Sequence, residues 1–179
     1  MTSLMAQTKQ RLLGTSLAAA LLTLLGALPI GTSYAEPRLD LSARTLQGEL
    51  RSLKQYEGKV VYVDFWASWC APCRDSFPWM EQMHQRYAKQ GLAIVAINLD
   101  SDSEMAKPFL ADFATSFDIL YDPKGEVAGH FNLQGMPSSY LFDAKGQLVS
   151  EHLGFFKSKQ PAVEQEIKAL LRQRNANEK

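Results

Sequence analysis

The sequence predicts a single α/β domain, a central mixed β-sheet flanked by helices, because β-branched apolar runs alternate with stretches of helical periodicity from Val60 onward. Two further observations agree. The 179 residues are 46% hydrophobic and 21% charged, enough for one sizeable core. No internal repeat or low-complexity tract divides the chain.

The first segment stands apart from that core. Lys9 and Arg11 precede an apolar stretch, Leu12 to Leu28, which Pro29 breaks and Ser33-Tyr34-Ala35 follows. This pattern predicts a secretory signal peptide over residues 1–35, cleaved after Ala35, with 36–179 as the folded domain. An uncleaved N-terminal membrane anchor is the alternative, since the stretch is near the lower length limit for a span. No cysteine follows it to carry a lipid. Cleavage would remove Lys9 and Arg11 and leave 17 basic against 19 acidic groups, a balance that argues against a nucleic-acid partner.

Between Glu36 and Tyr56, leucines among turn-forming and charged residues suggest a short N-terminal hairpin. Glu57-Gly58-Lys59 is a turn, and Val60–Trp66 reads as a buried strand. From Pro72 to about Gln90 the pattern is helical, with Met80, Met83 and Tyr87 at core spacing, Pro78 as an expected kink and Gly91 as the stop. Leu92–Leu99 is a second buried strand, and Glu104 to about Ser116 a second helix. A short strand is expected at Phe117–Tyr121 and a short helix at Glu126–Phe131. Ser139–Phe142 and Leu148–Leu153 form a hairpin around Asp143-Ala144-Lys145-Gly146. The last helix runs from Pro161 to about Arg174, with Val163, Ile167, Leu170 and Leu171 on one face.

The chemistry is concentrated in Trp69-Cys70-Ala71-Pro72-Cys73, which contains both cysteines of the chain and directly follows the first buried strand. One helical turn brings such side chains together, so a disulfide can close and reopen with little backbone movement. A loop that short adds little stability through chain entropy, which favours a redox role over a structural one. Zinc is the competing reading of C-x-x-C, but a closed site needs four ligands, and His84, His130 and His152 form no matching cluster. Those histidines read as surface or helix-face residues, and the acidic run Asp100–Glu104 as a loop whose Asp102 or Ser103 caps the next helix.

The segment from Asp64 to Arg74 resembles the active-site stretch of thioredoxins, and Pro78 falls where that family kinks the same helix. Gly135-Met136-Pro137-Ser138 resembles the family's second signature, whose proline is cis and lies against the cysteines. With the signal peptide and the extra helix between Asp100 and Phe117, the resemblance is to the exported TlpA-like (ResA-like) branch of thioredoxin-fold disulfide reductases, and it covers about Leu39 to Arg172.

The resemblance implies a thiol-disulfide oxidoreductase with Cys70, Cys73 and Asp64 as its catalytic residues. Cys70, expected at the helix N-terminus, is the attacking thiol, and Cys73, one turn inside, the resolving one. Asp64 would accept the Cys73 proton; thioredoxins usually face this aspartate with a lysine, but here the corresponding residue is Ala96. A carboxyl buried without a cation should have a raised pKa. Trp69, Met136 and Pro137 would contact substrate, with Met136 pairing its backbone to an extended client segment.

The implied cycle reduces disulfides of client proteins without a metal or small-molecule cofactor. A membrane electron donor of the DsbD or CcdA type would regenerate the dithiol, in the periplasm or another exported compartment, with the protein acting as a monomer. Compatible clients include an apocytochrome c, in cytochrome c biogenesis, a copper-site protein or misoxidised proteins at large. The alternatives are a disulfide-forming oxidase and a thioredoxin-fold binding module, either a chaperone or a copper-delivery adaptor.

Overall fold

Among the described residues, seven strands form one sheet in the order β2-β1-β5-β4-β3-β6-β7. The structure, a computed structural model, describes residues 37–177; the predicted signal segment lies outside them. The expected hairpin is β1 (Ser42–Arg44) with β2 (Leu50–Ser52). β3 (Val60–Trp66), β4 (Leu92–Asn98) and β5 (Asp118–Tyr121) run parallel, whereas β6 (Ser138–Phe142) and β7 (Leu148–Leu153) add an antiparallel hairpin beside β3. This is the mixed sheet of the thioredoxin fold.

All residues of β3 and β4 are buried, as expected of strands covered on both faces. Alternation sends Val60, Tyr62 and Trp66 to one core cluster and Val61, Val63 and Phe65 to the other. The first cluster is closed by α1 (Cys73–Tyr87), through Phe77, Met80 and Met83, and by α4 (Gln160–Asn177), through Ile167 and Leu171. The second is closed by α3 (Glu126–His130) and by the turn holding Leu53 and Tyr56. The two methionines are core residues, as their spacing predicts.

Two helices differ from expectation. In place of a helix over Glu104–Ser116, a 3-10 turn (Ser103–Met105) leads into the short α2 (Ala106–Ala111). Tertiary contacts end it early. Phe113 stacks on Phe109 and Phe77, with centroids 5.0 and 5.4 Å apart, and Ser116 donates its N–H and hydroxyl to Glu81 of α1 at 2.8 and 2.7 Å. Conversely, α4 continues past Arg174, which reaches back to donate to the Gly58 carbonyl at 2.5 Å. The same side chain crowds Gly91, whose φ of +103° ends the segment after α1; a Cβ there would lie 2.6 Å from the guanidinium.

Candidate active site

The site is built where β3 leaves the sheet. The Trp66 carbonyl accepts the N–H of Leu99 at 2.9 Å, and the chain then turns through Ala67 to Trp69. Asp100, only 2% exposed, holds this turn from the end of β4. Its carboxylate accepts the Ser68 N–H at 3.0 Å, the Ser68 hydroxyl at 3.0 Å and the Asn98 amide at 2.8 Å. The sequence reading placed Asp100 in a capping loop and missed this role, though Asp102 does cap, accepting the Glu104 N–H at 3.0 Å. The available signal was Asn98-Leu99-Asp100, polar groups at the end of an apolar strand that must finish beside the cysteine loop.

Cys70 and Cys73 form a disulfide with Cα atoms 5.4 Å apart. Their place relative to α1 is shifted from expectation. Cys73 is the first residue of α1, and Cys70 precedes the helix in a turn whose N–H groups bond three residues back: Cys73 to Cys70, Arg74 to Ala71 and Asp75 to Pro72. The helix opens through this tight turn because Pro72 has no N–H and its φ of −69° suits the turn. Cys70 still lies at the positive end of the helix, its carbonyl accepting the first of these bonds. Cys70 is 4% exposed and Cys73 fully buried, so access favours Cys70 only slightly, while the neighbouring Trp69 is 67% exposed.

The first turn of α1 is braced on two sides. Arg74 pairs with Asp112 and its guanidinium lies over the Phe109 and Phe113 rings at 5.1 and 5.3 Å. Asp75 meets Lys157 at 3.5 Å. Beneath it Trp66 packs on Phe77 and Phe109, with centroids 4.8 and 4.6 Å away.

Asp64 is 2% exposed and shares the strand face of Tyr62 and Trp66, the layer that contains both cysteines. Its ladder partners are Ala96 on β4, as the sequence comparison with thioredoxins implied, and Ser139 on β6. Oδ1 has no hydrogen-bond partner, and burial pushes the carboxyl well above the usual range.

The Met136-Pro137 peptide bond is cis, as the second signature implied. Because β6 is antiparallel to β3 and starts opposite Phe65, Pro137 emerges at the sheet end from which the cysteine loop departs. Gly154 donates its N–H to the Pro137 carbonyl at 2.8 Å, and Met136 packs against the core cluster that includes the cysteines.

The AhpC/TSA family profile matches residues 35–151, most of the chain. The chain belongs to the AhpC/TSA family. Within it the relatives are of the TlpA-like, ResA-like kind. This chain is 35% identical over 134 residues to the thioredoxin-like protein YneN of Bacillus subtilis, a match covering 73% of this chain and 78% of that protein. It is 30% identical to the thiol-disulfide oxidoreductase ResA of Bacillus thuringiensis, over 61% of this chain and 63% of that one. Among solved structures, a protein of Chlorobium tepidum described as a thiol:disulfide interchange protein DsbE superposes with a TM-score of 0.72 at 40% identity, over 77% of this chain and 97% of the other. With its closed cysteine pair, this AhpC/TSA chain is a thioredoxin-fold thiol-disulfide oxidoreductase.

Proposed function

We propose that the protein is exported and reduces disulfides of client proteins. The observation that carries this reading is the Cys70–Cys73 disulfide on the same side of the sheet as the buried Asp64 carboxyl, whose Oδ1 has no hydrogen-bond partner. The Cys70 thiolate attacks a client disulfide, favoured by the helix end next to it. Cys73 then attacks Cys70, releasing the client as a dithiol, and Asp64 accepts the Cys73 proton. A carboxyl whose pKa burial raises well above the usual range is a better match for a thiol proton than an ordinary one.

Trp69 and the Met136-Pro137 segment supply the client surface, Met136 through its backbone. Export, supported by the pattern of residues 1–35, puts the protein in an oxidising space such as the periplasm. The dithiol is therefore regenerated by a membrane electron donor of the DsbD or CcdA type. Apocytochrome c thiols are a fitting client class, and the protein works as a monomer.

The test is the reduction potential of the pair, measured by equilibration with glutathione and dithiothreitol. A value near roughly −270 mV supports the reductase, whereas one near −120 mV makes the protein an oxidant of folding chains. Cys73→Ser should trap clients on Cys70 as mixed disulfides; a binding module that does not turn over would yield none.

A further inference from the structure

A cavity of about 200 Å³ beside β7 is lined by Tyr62, Trp79, Ser139, His152, Phe156 and Lys159, among others. It reaches the immediate neighbour of Asp64. Across the sheet Ala96, Asp64, Ser139 and His152 stand in one row, as partners in the successive ladders β4·β3, β3·β6 and β6·β7. Directly opposed residues of an antiparallel pair have Cβ atoms roughly 4.5–5.5 Å apart on one face. Ser139 thus stands between Asp64, whose Oδ1 has no hydrogen-bond partner, and the cavity it helps to line.

The chemistry of the row suits proton movement. The Ser139 hydroxyl accepts from the Tyr62 phenol at 2.7 Å, which leaves its own proton free to be donated. At the outer end His152 Nε2 lies 3.2 Å from Glu166 Oε2, and the Ser150 hydroxyl donates to the same oxygen at 2.6 Å. The groups bearing on Asp64 are Tyr62 on its own strand and Ser139 on β6, while β4 places Ala96 opposite it and α1 contributes Cys73 to the core layer on the same face of the sheet. Glu151, His152 and Lys159 line the cavity, and Glu166 of α4 meets His152. The route past the cysteines is poor, since both are buried and a client bound to Cys70 covers them further.

We propose that Asp64 exchanges its proton with solvent through the Ser139 hydroxyl and this cavity, which makes Ser139 a positioning residue for the resolving step. The proposal rests on the reading of Asp64 as the base for Cys73. In that step the Cys73 sulfur attacks the Cys70 sulfur and the Cys70–client S–S bond breaks. The client sulfur leaves as a thiolate with the electron pair, and the Cys73 proton passes to ionised Asp64. When Asp64 starts protonated, its proton must first leave through Ser139 while the client is in place.

The experiment follows reduction of dithiobis-nitrobenzoate by stopped flow, where the first coloured thiolate reports attack by Cys70 and the second reports resolution by Cys73. Ser139→Ala should slow the second phase about tenfold at low pH and spare the first. The deficit should vanish at high pH, where Asp64 is ionised before mixing, and be relieved by Ser139→Thr or by added imidazole. His152→Phe, which puts an apolar ring into the lining of the cavity, should produce the same pH-dependent slowing without changing Ser139. Slowing that is absent or equal at every pH overturns the route. If Asp64→Asn nevertheless slows the second phase, the base survives and only the route falls; if Asp64→Asn leaves it unchanged, both fall.

Discussion

The Asp100 carboxylate accepts both the backbone N–H and the hydroxyl of Ser68, two residues before Cys70, and so fixes the redox turn to the end of the neighbouring strand. Removing it leaves the part-buried Ser68 donors and the buried Asn98 amide without their acceptor. Asp100→Ala should destabilise the oxidised protein by about 3 kcal/mol, and Ser68→Ala by about 1 kcal/mol. Urea unfolding of the oxidised form measures both, and equal losses would show that the carboxylate does not organise the turn.

Asp64 makes stability depend on pH in a definite direction. Its folded pKa is raised by burial, so between the unfolded value and the folded one the native state holds more protons than the unfolded chain. Stability should therefore fall as pH rises through that window, by up to about 1.4 kcal/mol per pH unit, and level off above the folded pKa. Asp64→Asn should flatten this slope and be the more stable protein at neutral pH. Denaturant titrations of both proteins across the acidic to neutral range check it; parallel curves would contradict it.

The aromatic cluster under α1 couples the inserted α2 to the redox helix. Phe109, buried against Trp66 and Phe77, should cost about 3–5 kcal/mol when changed to alanine. Arg74, half-exposed over the same rings, should cost only about 1 kcal/mol, because solvent screens both its ion pair and its ring contacts. Thermal and chemical unfolding of the two single variants should reproduce this ranking.

Gly91 has a positive φ that L side chains rarely adopt, and the Arg174 guanidinium occupies the space a Cβ would need. Gly91→Ala should lose about 1–3 kcal/mol. Combining it with Arg174→Ala tests the cause: the double variant should keep the backbone part of the loss but not the steric part.

The parallel strands, the C-terminal hairpin and the cysteine turn were legible in the sequence because each is a local signal: a run of β-branched residues, a turn of Asp and Gly, a C-x-x-C after a strand. The resemblance to thioredoxins points to Asp64, Trp69, Met136 and Pro137 through their motifs, and their roles remain part of the proposed function. What periodicity misjudged was α2, where Phe113 and Ser116 abandon the helix for contacts with Phe77 and Glu81, far away in the chain. It also misjudged the start of α1, which depends on how the turn before it closes.

The sequence by itself determined the elements, their order and the presence of a redox pair, since these follow from propensity and spacing within a few residues. Only the tertiary structure decided that Asp100 holds Ser68, that Asp64 faces Ala96 and Ser139, and that Ser139 opens on a cavity. Those relations arise from strand register and burial, which bring Asp100 to Ser68 across 32 positions and Ser139 to Tyr62, beside Asp64, across 77. Such contacts form through the packing of the whole sheet and carry no local trace in the chain.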